Sequence, residues 1–288
     1  AEILRRPEFP RAELEETVRE VMEKVRLGGD TEVWECTRRF DKCTPLKPFF
    51  DRGNLEDAFN SLPHEFASAL AVAAGNIEAF HEAQHEQFPV QETTPGVRCW
   101  RRSLPIERVG LYVPGGTAPL FSTLLMLAIP AKLAGCREIV VCSPPDAHGA
   151  VAPVIQAAAH VAGLDGIFPI GGAQAIAAMT FGTESIPRVD KLFGPGNQYV
   201  TQAKVLAVRY GVSIDIPAGP SEVAVLADSS ASPRLVAADL LAQAEHGPDS
   251  HVLLVSDSSE VVELTLKEVE IQLRQLPRES VAREAIST

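Results

Sequence analysis

Apolar positions recur at helical intervals through the first eighty residues and at strand and helix intervals in alternation after that. Leu14, Val18, Val21, Met22 and Val25 form one stripe and predict an amphipathic helix over 11–28. Gly28-Gly29-Asp30-Thr31 interrupts the pattern, and a second helix is predicted over 33–40. A short helix is expected over 56–60 and a long one over 63–83, with Phe66, Leu70, Ala73 and Ile77 on one face. His81, His85 and their acidic neighbours read as a solvated helix end. From Gly96 the period shortens, predicting strands over 97–103 and 106–113. Four helix–strand pairs follow: 120–134 with 138–142, 151–161 with 167–170, 173–181 with 191–193, and 198–210 with 213–216. A strand over 223–226, a helix over 233–246, a strand over 251–255 and a helix over 261–276 complete the pattern, with no closing element expected after them. Strands that alternate with helices predict βαβ crossovers, hence an α/β fold with mostly parallel sheets.

The loops after the predicted strands are rich in glycine and proline. They are Val113-Pro114-Gly115-Gly116-Thr117, Ser143-Pro144-Pro145, Gly171-Gly172-Ala173-Gln174, Gly194-Pro195-Gly196-Asn197 and Pro217-Ala218-Gly219-Pro220-Ser221. In a parallel sheet these positions share the carboxyl edge, where ligands bind and where helix N-termini present free N–H groups. None of them spells GxGxxG, so the usual dinucleotide fingerprint is absent. A different signal lies at Gln243-Ala244-Glu245-His246-Gly247-Pro248. Ser232-Pro233 starts a helix there and Gly247-Pro248 stops it. Gln243 and His246, three apart, share a face. The pair reads either as half of a metal site or as an ordinary glutamine beside a histidine favoured by the helix dipole.

Composition narrows the class. A chain of 288 residues holds one large domain or two moderate ones. A net charge of −12 argues against a nucleic-acid binder or an anionic-membrane binder. The cysteines Cys36, Cys43, Cys99, Cys136 and Cys142 are odd in number and unpaired in pattern, which reads as reduced thiols in a cytoplasmic protein. The charged stretch 1–16 lacks a secretory pattern, and the apolar run 111–133 is broken by glycines and by Pro114, Pro119 and Pro130, too interrupted for a membrane span.

The motifs in series resemble the histidinol dehydrogenase family. They are Gly110-Leu111-Tyr112-Val113-Pro114-Gly115-Gly116, Gly171-Gly172-Ala173-Gln174-Ala175-Ile176-Ala177, Phe193-Gly194-Pro195-Gly196-Asn197, Pro217-Ala218-Gly219-Pro220-Ser221-Glu222 and Gln243-Ala244-Glu245-His246-Gly247-Pro248-Asp249-Ser250. The resemblance implies two incomplete Rossmann-like domains, similar to those of aldehyde dehydrogenases, in an intertwined homodimer. It implies a first domain over 1–106, a central NAD-binding domain over 107–220 and a return to the first over 221–288. It also implies a zinc-dependent enzyme that oxidises L-histidinol through the aldehyde to L-histidine, the last steps of histidine biosynthesis, with two NAD+ in succession. By motif, Tyr112, Gln174 and Asn197 match cofactor-contacting positions, and Ser221 a substrate-contacting one. Gln243 and His246 match two Zn2+ ligands that also border the substrate.

The same resemblance implies residues that find no match here. The family's Glu-His general acid–base pair and its remaining zinc ligands, an aspartate and a histidine, lie in a part beyond the point matching Thr288. One of those ligands comes from the partner subunit's tail. The expectation is therefore a chain with a cofactor edge and half a zinc site, inactive alone and weakened as a dimer. Two other readings stand beside it: a relative acting on another small polar alcohol, and a non-catalytic nucleotide-binding fragment.

Overall fold

The computed structural model describes residues 11–85, 88–115, 119–217, 222–247 and 250–287. Their contacts divide the chain into two compact units, residues 10–218 and residues 219–288.

The larger unit opens with α1 (Arg11–Phe40). The expected break at Gly28-Gly29 is a kink inside one long helix, at Gly29 with φ 54° and ψ −139°. Tertiary bonds hold that kink. Glu184 accepts from the Asp30 N–H at 2.7 Å, and Asp30 accepts from the Ser185 hydroxyl at 3.0 Å. A two-residue strand β1 (Phe50–Asp51) leads into α2 (Arg52–Asn60), capped by the Asp51 carboxylate, and then comes α3 (His64–Glu82). The hairpin β2 (Gln91–Thr94) and β3 (Val97–Cys99) is exposed. The strand expected over 97–103 stops at Cys99, because only its first three residues meet β2.

The alternation then runs as the period predicts: β4 (Arg108–Tyr112), α4 (Phe121–Leu133), β5 (Glu138–Ser143), α5 (Pro153–Val161), β6 (Gly166–Pro169), α6 (Gly172–Phe181), β7 (Lys191–Phe193), α7 (Gln198–Ala207) and β8 (Ser213–Ile214). The sheet order is β1-β6-β5-β4-β7-β8. All neighbours are parallel except β1, which adds to β6 antiparallel with Phe50 opposite Ile167. Counted from β4, the parallel strands lie 3-2-1-4-5, the doubly wound order.

Alternate strand residues feed two cores. Val140, Cys142 and Leu192 meet α1, α6 and α7 on one face, while Val109, Leu111 and Val141 meet α4 and α5 on the other. The resemblance groups 1–106 with 221–288 in one domain. In the structure α1 packs on α6 and α7, α2 on α5, and α3 on α4, so these helices cover the central sheet. The physical reason is that a sheet buried on both faces needs more helical cover than its own crossovers supply.

The smaller unit is a parallel pair, β9 (Glu222–Ala227) and β10 (His251–Ser256), connected by α8 (Pro233–Ala244) and followed by α9 (Ser259–Leu273) and α10 (Glu279–Ser287). Helix α9 ends short of the predicted 276, because Pro277 disfavours helical geometry in the residue before it. Helix α10 is a closing element where none was expected. Its inward residues are Ala282 and Ala285, packed with Ala237, Leu241 and Ala244, and an alanine stripe carries little hydrophobic signal in sequence. No helix among the described residues is long and apolar enough to cross a membrane.

Candidate cofactor edge and metal donors

In the larger unit the strand order reverses between β4 and β7, and in such a sheet ligands usually bind in the crevice at that switch point. Beside that point the loops after β4 and β6 close on Pro144, past the end of β5. A Cβ added at Gly115 would lie 2.8 Å from the Pro144 ring, and one at Gly171 would lie 2.6 Å from it. The heads of α4 and α6, preceded by Leu120 and Gly171, have no side-chain cap. These first-turn N–H groups suit an anionic ligand. The buried Ser143 hydroxyl ends β5 with no hydrogen-bond partner among the described residues. Residues 116–118 and 218–221 lie outside the described ones, and with them Ser221, the residue matched to the substrate.

Tyr112 is the last residue of β4 and is 4% exposed. Its phenol oxygen accepts from the Gly172 N–H at 3.1 Å. Burial pushes the phenol up to about 12, the Gly172 bond opposes that, and Asp41 and Cys142 add to it. The hydroxyl thus keeps its proton at neutral pH, and that proton is a donor not consumed by the Gly172 contact.

Gln174, in the first turn of α6, is 1% exposed. Its Nε2 donates to Asp41 Oδ2 at 3.3 Å. Asp41 is the residue sequence reasoning missed. It follows α1 directly, before Lys42 turns the chain at φ 55°, and nothing in the local pattern marks it. Burial raises its carboxyl to about 6.

Asn197 caps α7, its Oδ1 accepting from Tyr199 and Val200 N–H at 3.0 and 3.1 Å. That commits the oxygen to the helix and leaves the amide NH2 for a ligand. The loop ahead of Asn197 is held by a buried pair. Lys204, 2% exposed, donates to the Gly194 carbonyl at 2.7 Å, and Asp215 Oδ2 accepts the Gly194 N–H at 2.8 Å. Lys204 and Asp215 also form an ion pair, although Asp215 Oδ1 accepts no well-aligned hydrogen bond. Proximity suffices for this charge contact, and direction does not matter to it. Both backbone polar groups of one residue, Gly194, are thereby fixed beside the end of β4.

The metal candidates belong to the smaller unit. Helix α8 stops at Ala244, two residues before the predicted end, so His246 sits in the following turn, its N–H bonded to the Gln243 carbonyl at 3.1 Å. His246 is exposed and Gln243 half-buried. Gln243 Nε2 donates to Ser250 Oγ at 3.5 Å, which leaves Oε1 as the donor atom for a cation. The two side chains suit zinc in kind but not in number, since zinc sites use three or four protein ligands. Among the described residues no group of three or more His, Cys, Asp or Glu is placed to hold a metal ion.

A family model described as histidinol dehydrogenase matches residues 4–288. A protein of that name from Bacteroides fragilis is 53% identical over 286 residues, 99% of this chain and 67% of its own length. The crystal structure of histidinol dehydrogenase from Elizabethkingia anophelis superposes with a TM-score of 0.94 at 48% identity, covering 99% of this chain and 66% of that one. An NAD-dependent aldehyde dehydrogenase from Sinorhizobium meliloti shares the fold, with a TM-score of 0.51 at 14% identity over 91% of this chain and 54% of its own. The chain therefore spans about two thirds of the length of these histidinol dehydrogenases.

Proposed function

The chain belongs to the histidinol dehydrogenase family, a family of oxidoreductases, and from that premise we propose that it carries the cofactor edge and part of the metal site of an enzyme oxidising L-histidinol to L-histidine. The observation that supports this most strongly is 53% identity sustained over 99% of the chain, since a match that continuous includes every loop of the rim. In this reading the larger unit is a Rossmann-like domain, and the smaller is a piece of a second one. The reaction is the last part of histidine biosynthesis, in the cytoplasm, in a homodimer.

Tyr112, Gln174 and Asn197 hold NAD+ at the switch-point crevice, and NAD+ supplies the hydride acceptor. The Tyr112 hydroxyl and the Asn197 NH2 each donate a hydrogen bond to the ligand, and the Gln174 amide oxygen accepts one. The uncapped heads of α4 and α6 offer N–H groups to phosphate oxygens. Ser221 contacts the substrate. Gln243 and His246 contribute two donors to Zn2+ and border the substrate, which the ion orients when bound.

Two donors bind zinc weakly, and by the resemblance the family's general acid–base pair has no match among these residues. Assayed by itself, the 288-residue polypeptide is expected to form NADH from L-histidinol at least about 10³-fold more slowly than an intact relative, given what a lost general base alone costs. Turnover at an ordinary enzyme rate would overturn the assignment of the acid–base pair elsewhere. Zinc titration tests the donors. His246→Ala and Gln243→Ala are each expected to weaken binding about tenfold or more, since even losing an outer-shell partner costs that much. Affinity unmoved by both substitutions would remove these two residues from the metal site.

A further inference from the structure

The Asp41–Gln174 contact is a built polar arrangement that the family motifs leave without a role. An ionised carboxylate only accepts hydrogen bonds, so it takes the NH2 end of an amide and repels the oxygen end. In the structure Gln174 indeed donates through Nε2. Its oxygen then lies at the head of α6, where a Cβ on Gly172 would stand 2.5 Å from Oε1. We propose that Asp41 is a positioning residue that fixes the polarity of the Gln174 amide, so that the oxygen is the atom offered at the cofactor edge and a ligand hydroxyl, such as a nucleotide ribose presents, is the group it receives. The inference rests on the cofactor reading of Gln174 given above.

The surroundings make this polarity sensitive to protonation. From β4, Tyr112 faces Asp41. From the segment after α1, Cys43 does so, with Asp146 acting on the same thiol. From β5, Cys142 acts on Tyr112. Helix α6 contributes no ionisable side chain, and the neighbouring Lys42 is exposed. No described cation therefore pairs with Asp41, which agrees with a carboxyl that burial raises to about 6. Once protonated, Asp41 can donate to Oε1. The amide then has no reason to keep its oxygen at the head of α6, and the acceptor for the ligand hydroxyl is lost.

Two measurements test this on the 288-residue chain. In the free protein, the Gln174 side-chain NH2 resonances are expected to shift with a midpoint near pH 6 and to stay flat in Asp41→Asn, whose amide does not titrate. A flat Gln174 amide in the unsubstituted protein overturns the positioning role. Calorimetric titration with NAD+ is expected to show affinity falling about tenfold between pH 7.5 and pH 5, roughly the worth of one hydrogen bond. Asp41→Asn is expected to be about tenfold weaker at pH 7.5 and independent of pH. Equal NAD+ affinity in both proteins at both pH values overturns the link to the cofactor. If the Gln174 amide titrates but no NAD+ binds to either protein, the cofactor reading of this edge fails while the orientation of the amide by Asp41 is upheld.

Discussion

Gly194→Ala is expected to lower the unfolding free energy by about 4 kcal/mol or more, through two costs that cannot relax together. At φ +121° an L side chain is strained wherever it points. The added Cβ would also stand 2.0 Å from the Tyr112 carbonyl oxygen, a backbone atom of the central strand β4 that cannot step aside. Relief requires moving the end of β4 or the loop that leads to Asn197, and both carry the candidate cofactor contacts. Gly75→Ala provides the comparison. It lies within α3, with nothing within 4 Å of the added Cβ, and is expected to gain up to about 1 kcal/mol from helix propensity. Urea unfolding followed by circular dichroism measures both. A loss below about 1 kcal/mol in Gly194→Ala would show that the loop repacks freely.

Lys204→Met should cost about 3 kcal/mol, the lower end for breaking a buried ion pair, because Asp215 keeps 27% of its side chain in water. The substitution preserves the apolar stem and removes the ammonium, leaving the Asp215 carboxylate stranded and the Gly194 carbonyl without its donor. Asp215→Asn added to Lys204→Met is expected to restore about half the loss, since the neutral amide oxygen still accepts the Gly194 N–H without the stranded charge. Strict additivity of the two single substitutions would show that the residues are not coupled. NAD+ affinity should fall in Lys204→Met as well, because Gly194, the residue that sets the Asn197 loop, loses one of its two anchors.

The helix stripes and the strand–helix alternation were legible in the sequence because each follows from local periodicity. A residue three or four positions on shares a helix face, and a buried parallel strand is a short apolar run. The glycine and proline loops were legible for a related reason: positions such as Gly172, at φ 63°, need a backbone conformation that most residues resist. Strand order was not legible. Nothing near Phe50-Asp51 announces that two residues add to the edge at Ile167. Nor does the chain near Gly29 reveal that Glu184, more than 150 residues away, turns a break into a kink.

The candidate site divides along the same line. Tyr112, Gln174 and Asn197 stand in motifs that can be read from the chain, as do Gln243 and His246, and the spacing of the last two predicts a shared helix face, although α8 ends before His246. Asp41, Lys204 and Asp215 carry no such mark. Each is an ordinary charged residue until packing removes water around it and supplies a partner remote in sequence. The sequence by itself determined the family, the α/β class and the residues that line the loops, because these depend on local residue type and order. Only the tertiary structure decided which charges are buried and which backbone groups they hold, because desolvation and pairing arise where distant segments meet.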